Sequence, residues 1–153
     1  MLEVNIINVG MDVELNTPVV ILEGKERNKK LPIWMNLREA KKIASIWKSK
    51  NSSLLYDLIE SLVKKFIKGK VKKVIINDLE GNIYHAKVLT EKNNEIIEID
   101  ARPSDAIALA LALRIPIYID EVKLSIADGL ISDEEIEEFR KKLEHIKPED
   151  FIL

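Results

Sequence analysis

The chain has 153 residues, 46% of them hydrophobic and 33% charged, which is enough apolar surface for one folded domain and excludes a disordered chain. It contains no cysteine, so disulfides, thiolate metal sites and cysteine nucleophiles are excluded. With 24 basic and 26 acidic residues the formal net charge is −2, so any contact with nucleic acid must use a local basic patch. The chain has no glutamine and is rich in Ile, Lys and Glu, which is typical of a thermophile or of an AT-rich genome.

The sequence predicts a protein that does not enter a membrane. Its longest apolar stretch, residues 106–113, ends at Arg114 and is far shorter than the roughly 20 residues that span a bilayer. The first residues alternate like a strand and do not resemble a signal peptide. We therefore expect a cytoplasmic protein.

The first half of the chain is predicted to form three strands and then two helices. The strands are expected at residues 2–9, 17–23 and 30–35. Asn36 and Glu39 have the spacing of a capping box, so a helix is expected to begin there and to end near Lys48. A second helix is predicted at residues 54–68, before Gly69. Its apolar pairs recur every four residues, which predicts that more than one of its sides is covered.

The second half repeats the order of three strands and a helix. Strands are expected at residues 71–79, 83–90 and 96–101, and the first of them has a continuous apolar centre typical of a strand inside a sheet. A helix is predicted from Pro103 to about Arg114, followed by a short strand at residues 116–120.

The C-terminal segment is predicted to be an addition to this domain. A capping box at residues 132–135 predicts a helix that ends near residue 146, and the apolar tail at 151–153 is expected to dock onto the protein. We place the domain at residues 1–125 and the C-terminal helix and tail at residues 126–153.

The two halves of the chain match each other when one is shifted by 66 residues. Residues 17–34 then fall on residues 83–100, and Glu39-Ala40 falls on Asp105-Ala106. Chance agreement between two amphipathic patterns is the alternative to a duplication. The shared register of both hairpins and both helix starts favours duplication. The expected fold class is therefore α+β, with a mixed, largely antiparallel sheet built from a duplicated β-β-β-α unit and helices packed on it.

Three parts of the sequence resemble the bifunctional nuclease family. They are residues 31–34 with 39–40, residues 74–79 with 84–86, and residues 99–113 with 115–118. The third part contains the block Asp-Ala-Arg-Pro-Ser-Asp-Ala, the most specific motif of the three. The resemblance covers about residues 1–125 and implies nuclease activity on DNA, on RNA or on both. Two positions differ from the family, because Tyr56 stands where a histidine is common and Met35-Asn36 where a glycine is usual.

The implied activity requires groups that assist phosphodiester hydrolysis. Divalent metal ions held by carboxylates activate water, neutralise the phosphate and stabilise the leaving oxygen. The candidate ligands are Asp100, Asp105, Asp78 and Glu39, and Mg²⁺ or Mn²⁺ is the expected cofactor if the protein is an enzyme. Tyr56 argues against a mechanism assisted by a histidine at that position. The structural alternative is that Glu39 and Asp105 cap helices and that Asp78 and Asp100 are turn residues.

Arg102 and Ser104 are candidates for binding a phosphate. They stand at a predicted helix N-terminus, where free backbone amides and the helix dipole favour an anion. Asp100, Asp105 and Arg102 are therefore the predicted catalytic residues. The alternative is that Arg102 pairs with Asp100 or Asp105 and fixes the corner between strand and helix, where it contributes to stability rather than to chemistry.

Further residues are predicted to bind the substrate along its length. Lys70, Lys72 and Lys73 belong to a basic cluster that could hold a phosphate backbone, or could simply be a solvated helix end and strand flank. Trp34 could stack on a base, and its alternative role is a subunit contact.

Two classes of function stay open at this point. One is a metal-assisted nuclease that acts on DNA, RNA or both. The other is a non-enzymatic oligomeric regulatory module that binds nucleic acid or an anionic ligand at the corner formed by Asp100, Arg102 and Asp105. In either class the wide apolar face of the second helix predicts a homodimer.

Overall fold

The computed structural model describes residues 1–26, 29–49, 54–80 and 83–121, together with residues 134, 137–138, 141 and 143–145. The strands are β1 (Leu2–Asp12), β2 (Thr17–Gly24), β3 (Lys30–Trp34), β4 (Lys70–Glu80), β5 (Ile83–Lys92), β6 (Glu95–Ala101), β7 (Ile117–Ile119) and β8 (Leu143–His145). The helices are α1 (Leu37–Ser49), α2 (Leu54–Leu62) and α3 (Pro103–Leu113), and α2 continues into a π-helical turn at Val63–Ile67.

The described strands form one mixed sheet in which β7 joins two antiparallel halves. Their order is β3-β2-β1-β7-β4-β5-β6, with β8 beside the far end of β1. β7 pairs antiparallel with β1 and parallel with β4. The two halves, β1–β3 and β4–β6, therefore run outward from β7 in mirrored order. The α+β fold class predicted from the sequence is confirmed.

The duplication inferred from the sequence is visible in the starting positions of the elements. β2 and β5 begin at Thr17 and Ile83, and α1 and α3 begin at Leu37 and Pro103, so both pairs are 66 residues apart. Each unit is a meander of three strands followed by a helix that returns across the sheet. α1 and α3 pack against each other over this sheet.

The core lies between the sheet and the pair of helices α1 and α3. Its fully buried side chains include Ile43 of α1, Ile107 of α3 and Ile76 of β4. Ile76 belongs to the apolar centre of β4, which lies inside the sheet between β7 and β5, as its sequence predicts. α3 is buried along most of its length, because alanines at alternate positions let it approach the sheet closely.

Two local predictions differ from the structure. The helix predicted at residues 54–68 is α-helical only to Leu62 and then widens into the π-helical turn, and Lys68 ends it in a left-handed conformation with a φ of 57°. The prediction that the last helix extends to about residue 146 is wrong, since Leu143–His145 form a strand that pairs with β1. Backbone pairing with Gly10–Asp12 overrides the helical pattern there. The remainder of residues 126–153 lies largely outside the described residues.

Several large apolar side chains remain exposed on α2, the π-helical turn and β6. Leu58 is 56% exposed, Phe66 79% and Ile97 42%. Surface of this kind is typical of protein interfaces, and the homodimer expected from the sequence stays a prediction. No helix among the described residues combines the length and the apolar character needed to cross a membrane.

Gly69, directly after the π-helical turn, is expected to tolerate no side chain. A Cβ atom there would lie 2.8 Å from the carbonyl oxygen of Glu91. Because that oxygen belongs to the backbone of β5, Gly69→Ala is expected to lower the free energy of unfolding by about 1–3 kcal/mol, measured by urea denaturation. The exposed neighbour offers a control, since Lys70→Ala should cost less than about 0.5 kcal/mol. Equal losses in both variants would contradict this assignment.

Candidate functional site

The N-terminal turns of α1 and α3 lie side by side at one end of the helix pair. At the start of α1, the Glu39 backbone N–H donates to Asn36 Oδ1 at 2.9 Å, and the Asn36 backbone N–H donates to Glu39 Oε2 at 3.1 Å. This is the capping box predicted from the sequence. At the start of α3, Arg102 has extended backbone with φ −71° and ψ 143°, and its side chain makes no capping hydrogen bond.

Arg102 links the two helix starts through a pair of ion pairs. Its Nε lies 3.0 Å from Asp105 Oδ2, and its terminal nitrogen Nη1 lies 3.0 Å from Glu39 Oε1. The hydrogen bond to Asp105, with the nearby charges of Asp105 and Glu39, raises the pKa of Arg102, so the guanidinium stays charged. The structure therefore joins Glu39 and Asp105, the two acids that the duplication makes equivalent.

A pocket of about 290 Å³ opens beside this ion-pair cluster, and we call it the corner pocket. Its described lining residues come from both units of the fold: Ile33, Trp34, Met35 and Glu39 from the first, and Ile83, Tyr84, Arg102, Pro103 and Ser104 from the second. Most of its wall is apolar, and the charged groups are Glu39 and Arg102. An apolar pocket with a few convergent polar groups is the usual form of a small-ligand site.

Trp34 forms one wall of the corner pocket, and a hydrogen bond to Asp12 fixes its indole ring. Its indole Nε1 donates to Asp12 Oδ2 at 3.1 Å, while 38% of the residue stays exposed. Asp12 is buried, and its Oδ1 accepts the backbone N–H groups of Glu14 at 3.1 Å and Leu15 at 3.3 Å. The Asx turn after β1 thus fixes the indole ring before any ligand arrives.

Tyr84 lines the same pocket from the second unit. Burial raises its pKa to about 12. At neutral pH the phenol therefore keeps its proton, so it can donate a hydrogen bond and cannot act as a general base.

Asp100, another of the predicted acids, makes no ion pair with Arg102 in the part of the chain that the structure describes. Asp100 lies on the exposed edge strand β6, in register opposite Lys87 of β5. The Lys87 ammonium lies 2.6 Å from Glu98, and Glu98, with a smaller contribution from Asp100, raises the pKa of Lys87. The backbone of Asp78 pairs with His85 near the end of β4. The predicted alternative pairing of Arg102 with Asp105 is confirmed, and Glu39 takes the place proposed for Asp100.

The Arg102 side chain is exposed, which limits what its ion pairs contribute to stability. Its exposed fraction is 68%. Ion pairs exposed to this extent contribute little, because water screens them and long side chains lose entropy. An exposed guanidinium is accessible to a ligand.

The structure separates the predicted lysines from the corner pocket. Lys70, Lys72 and Lys73 lie at the start of β4, whereas Ile83 and Tyr84 of the pocket pair with its end. Between six and ten residues of strand separate the two places, a distance of about 20–30 Å. Lys72 lies 3.0 Å from Glu91, and the Lys73 ammonium lies 5.0 Å from the centre of the Tyr118 ring.

Of the predicted binding residues, Trp34 and Ser104 do line the corner pocket. Ser104 is buried in the first turn of α3. Sequence reasoning missed the support from Asp12 and the wall formed by Tyr84. The polar turn after Asp12 is a recognisable Asx-turn signal, but nothing local in the sequence links it to Trp34.

The sequence profile of the bifunctional nuclease domain matches residues 20–128. The chain belongs to this family. Two uncharacterized proteins of Mycobacterium tuberculosis, MT1877 of strain CDC 1551 / Oshkosh and Rv1829 of strain H37Rv, are each 32% identical to it over 163 aligned positions. The alignment covers 97% of this chain and 97% of either relative, so the likeness extends beyond the bifunctional nuclease domain itself.

The bifunctional nuclease family suggests nuclease-like chemistry, so the donor set at the corner pocket matters. Within the described residues, no three His, Asp or Glu side chains lie close enough together to enclose a metal ion. Glu39 and Asp105 nevertheless offer two hard oxygen donors at one place. Mg²⁺ is commonly held by one or two carboxylates together with substrate phosphates, so these two residues fit such an ion.

Proposed function

We propose that this protein is a nuclease that hydrolyses phosphodiester bonds in single-stranded DNA or RNA at the corner pocket with the help of a divalent metal ion. The observation that carries the proposal is the Arg102 guanidinium, which joins Glu39 and Asp105 at the rim of a pocket with aromatic walls. Membership of the bifunctional nuclease family supports it.

The size and walls of the corner pocket favour a single-stranded substrate. A pocket of about 290 Å³ has room for one base with its sugar and no room for a duplex. The fixed indole of Trp34 offers a flat face to that base, and stacking on an aromatic ring stabilises binding by about 1–3 kcal/mol per base without selecting a sequence.

The phosphate next to that base is expected to bind Arg102. Two N–H groups of a guanidinium match two phosphate oxygens, and the free backbone N–H groups at the start of α3 add positive potential. Ser104 brings a hydroxyl group to the same place. To bind the phosphate, Arg102 gives up its contacts with both carboxylates, which costs little at its level of exposure.

Glu39 and Asp105 are the proposed metal ligands, and each is freed when Arg102 turns to the phosphate. A divalent ion held by these two residues would supply Lewis-acid stabilisation of the phosphate and would activate water for hydrolysis. Asp100 and Asp78 stay as proposed additional ligands. Tyr84 donates a hydrogen bond rather than accepting a proton, because its pKa is about 12.

The test is a cleavage assay with purified protein and end-labelled oligonucleotides. Single-stranded RNA, single-stranded DNA and a duplex of the same sequence are incubated with Mg²⁺, with Mn²⁺ or with EDTA. We expect metal-dependent cleavage of single strands, at least tenfold weaker cleavage of the duplex, and loss of activity in Arg102→Gln. Cleavage that survives both EDTA and Arg102→Gln would mean that the corner pocket is not the active site.

A binding module without catalysis is the second candidate function. It is favoured by one observation, that Arg102 already neutralises Glu39 and Asp105 and leaves neither carboxylate unpaired. In this case the labelled single strands bind, with a salt-dependent affinity, and stay intact with every metal. The exposed apolar face of α2 would then serve self-association, which light scattering measures directly.

A further inference from the structure

A second pocket lies at the opposite end of α3, and we call it the Arg114 pocket. It has a volume of about 490 Å³ and lies where α3 ends and the chain turns into β7 beside β1. Its described lining residues are Glu3, Val4, Asn5, Ile6, Lys25, Ala110, Leu111, Arg114, Ile115, Pro116, Ile117 and Tyr118. The 11 residues of α3 separate it from the corner pocket by about 16 Å.

Arg114 lines this pocket from the position that ends α3. Arg114 has a left-handed conformation with a φ of 56° and ends α3, and its N–H donates to the carbonyl of Ala110. The N–H of Ile115 donates to the same carbonyl at 3.0 Å. Arg114 and Leu111 also border a neighbouring pocket of about 340 Å³ that is lined by Ile46 and Trp47. Arg114 therefore stands between two cavities.

The charges around the Arg114 pocket favour an anion. Glu3, the single acid among its described lining residues, is already bonded to Lys25. Among the described residues no hydrogen-bond or ion-pair partner contacts the Arg114 guanidinium. The helix dipole places roughly half a negative charge at the C-terminal end of α3, and the full positive charge of Arg114 exceeds it. Lys73, beside the Tyr118 ring, adds a second positive charge. A guanidinium without a partner binds phosphate or carboxylate through two parallel hydrogen bonds.

The rest of the wall favours a flat ring. The Lys73 ammonium lies 5.0 Å from the centre of the Tyr118 ring. Apolar surface beside this ring comes from Leu111, Ile115 and Pro116. Aromatic and apolar side chains beside a cation are the usual partners of a nucleobase. A volume of about 490 Å³ lies in the range of sites that hold small ligands.

We propose that the Arg114 pocket binds a mononucleotide, with the phosphate on Arg114 and the base against Tyr118. The described lining residues of this site include none of those that line the corner pocket. The proposal therefore does not depend on nuclease activity and can succeed or fail separately from it.

The experiment is isothermal titration calorimetry of the full chain with AMP, adenosine and inorganic phosphate. AMP is expected to bind at least tenfold more tightly than either of its parts. Arg114→Gln should weaken AMP binding at least tenfold, because glutamine keeps the length of the side chain and removes the charge. Arg38→Gln is the matched control, since it removes an equal charge from an exposed position at the start of α1 and should leave the affinity unchanged.

Two further variants test the proposal independently. Tyr118→Leu should weaken AMP binding and leave phosphate binding unchanged. In the variant Trp34→Phe, only Trp47 remains of the two tryptophans of the chain. Because Trp47 lines the neighbouring pocket that Arg114 also borders, AMP should change its fluorescence. The proposal is overturned if AMP gives no heat, if phosphate alone binds as tightly as AMP, or if Arg102→Gln abolishes AMP binding while Arg114→Gln preserves it.

Discussion

The double variant Glu39→Gln/Asp105→Asn is expected to cleave single-stranded nucleic acid about 100-fold or more slowly than the natural protein. It removes both proposed metal ligands while keeping the shape of the two helix starts. Glutamine at position 39 can still accept the backbone N–H of Asn36, so the capping box and the fold survive. Cleavage rates at saturating Mg²⁺, together with thermal melting, measure the effect.

Substrate affinity separates a catalytic loss from a structural one in this variant. Removal of two negative charges beside Arg102 should leave the binding of a single strand equal or tighter, measured by fluorescence anisotropy in EDTA. Glu95→Gln/Glu98→Gln is the matched control, because it removes two acids from the exposed strand β6. Wild-type cleavage by Glu39→Gln/Asp105→Asn, or equal losses in both double variants, would contradict the assignment of the ligands.

Asp12→Ala is expected to lower the free energy of unfolding by about 2–4 kcal/mol. The buried carboxylate accepts three hydrogen bonds, from the Glu14 and Leu15 backbone N–H groups and from Trp34 Nε1. Alanine leaves these donors without their acceptor and also frees the indole ring. Urea denaturation measures the loss of stability, and titration with a single-stranded oligonucleotide should show weaker binding at the corner pocket.

Asp12→Asn distinguishes the two roles of this carboxylate. The amide oxygen can still accept the two backbone N–H groups of the turn, but the amide nitrogen then faces the Trp34 N–H, and two donors cannot bond to each other. We therefore expect most of the stability to return and the weakened oligonucleotide binding to persist. Full recovery of both properties would show that the bond between Asp12 and Trp34 has no role in the binding site.

The elements of this fold are largely predictable because their signals are local. The capping box at Asn36 and Glu39 and the proline at 103 mark the starts of α1 and α3, and both helices begin where these signals place them. The duplication adds a second, independent constraint, since each unit predicts the layout of the other. Prediction fails at residues 143–145, because their pairing with β1 depends on a strand more than 130 positions earlier in the chain.

The site is only partly predictable, because its decisive contacts join distant parts of the chain. Arg102 contacts Asp105 within one helix turn, which the sequence suggests, but it also contacts Glu39 across 63 positions. Trp34 and Asp12 meet because β3 and β1 both flank β2. The basic cluster at residues 70–73 is conspicuous in the sequence, yet it lies at the far end of β4 from the corner pocket. The sequence identifies such a cluster but does not show where in the fold it lies.

The duplication of the fold affects the 5′-to-3′ direction in which the proposed single-stranded substrate would bind. The two units run in mirrored order from β7, and they contribute the equivalent residues Glu39 and Asp105 to the same cluster. A site made of two identical halves would accept a strand in either 5′-to-3′ polarity. Arg102 breaks this equivalence, because the position 66 residues before it is Asn36, whose side chain is occupied in the capping box. For the proposed single-stranded substrate, one guanidinium between two matching acids would make the two polarities energetically different, so a duplicated fold would have a directional site.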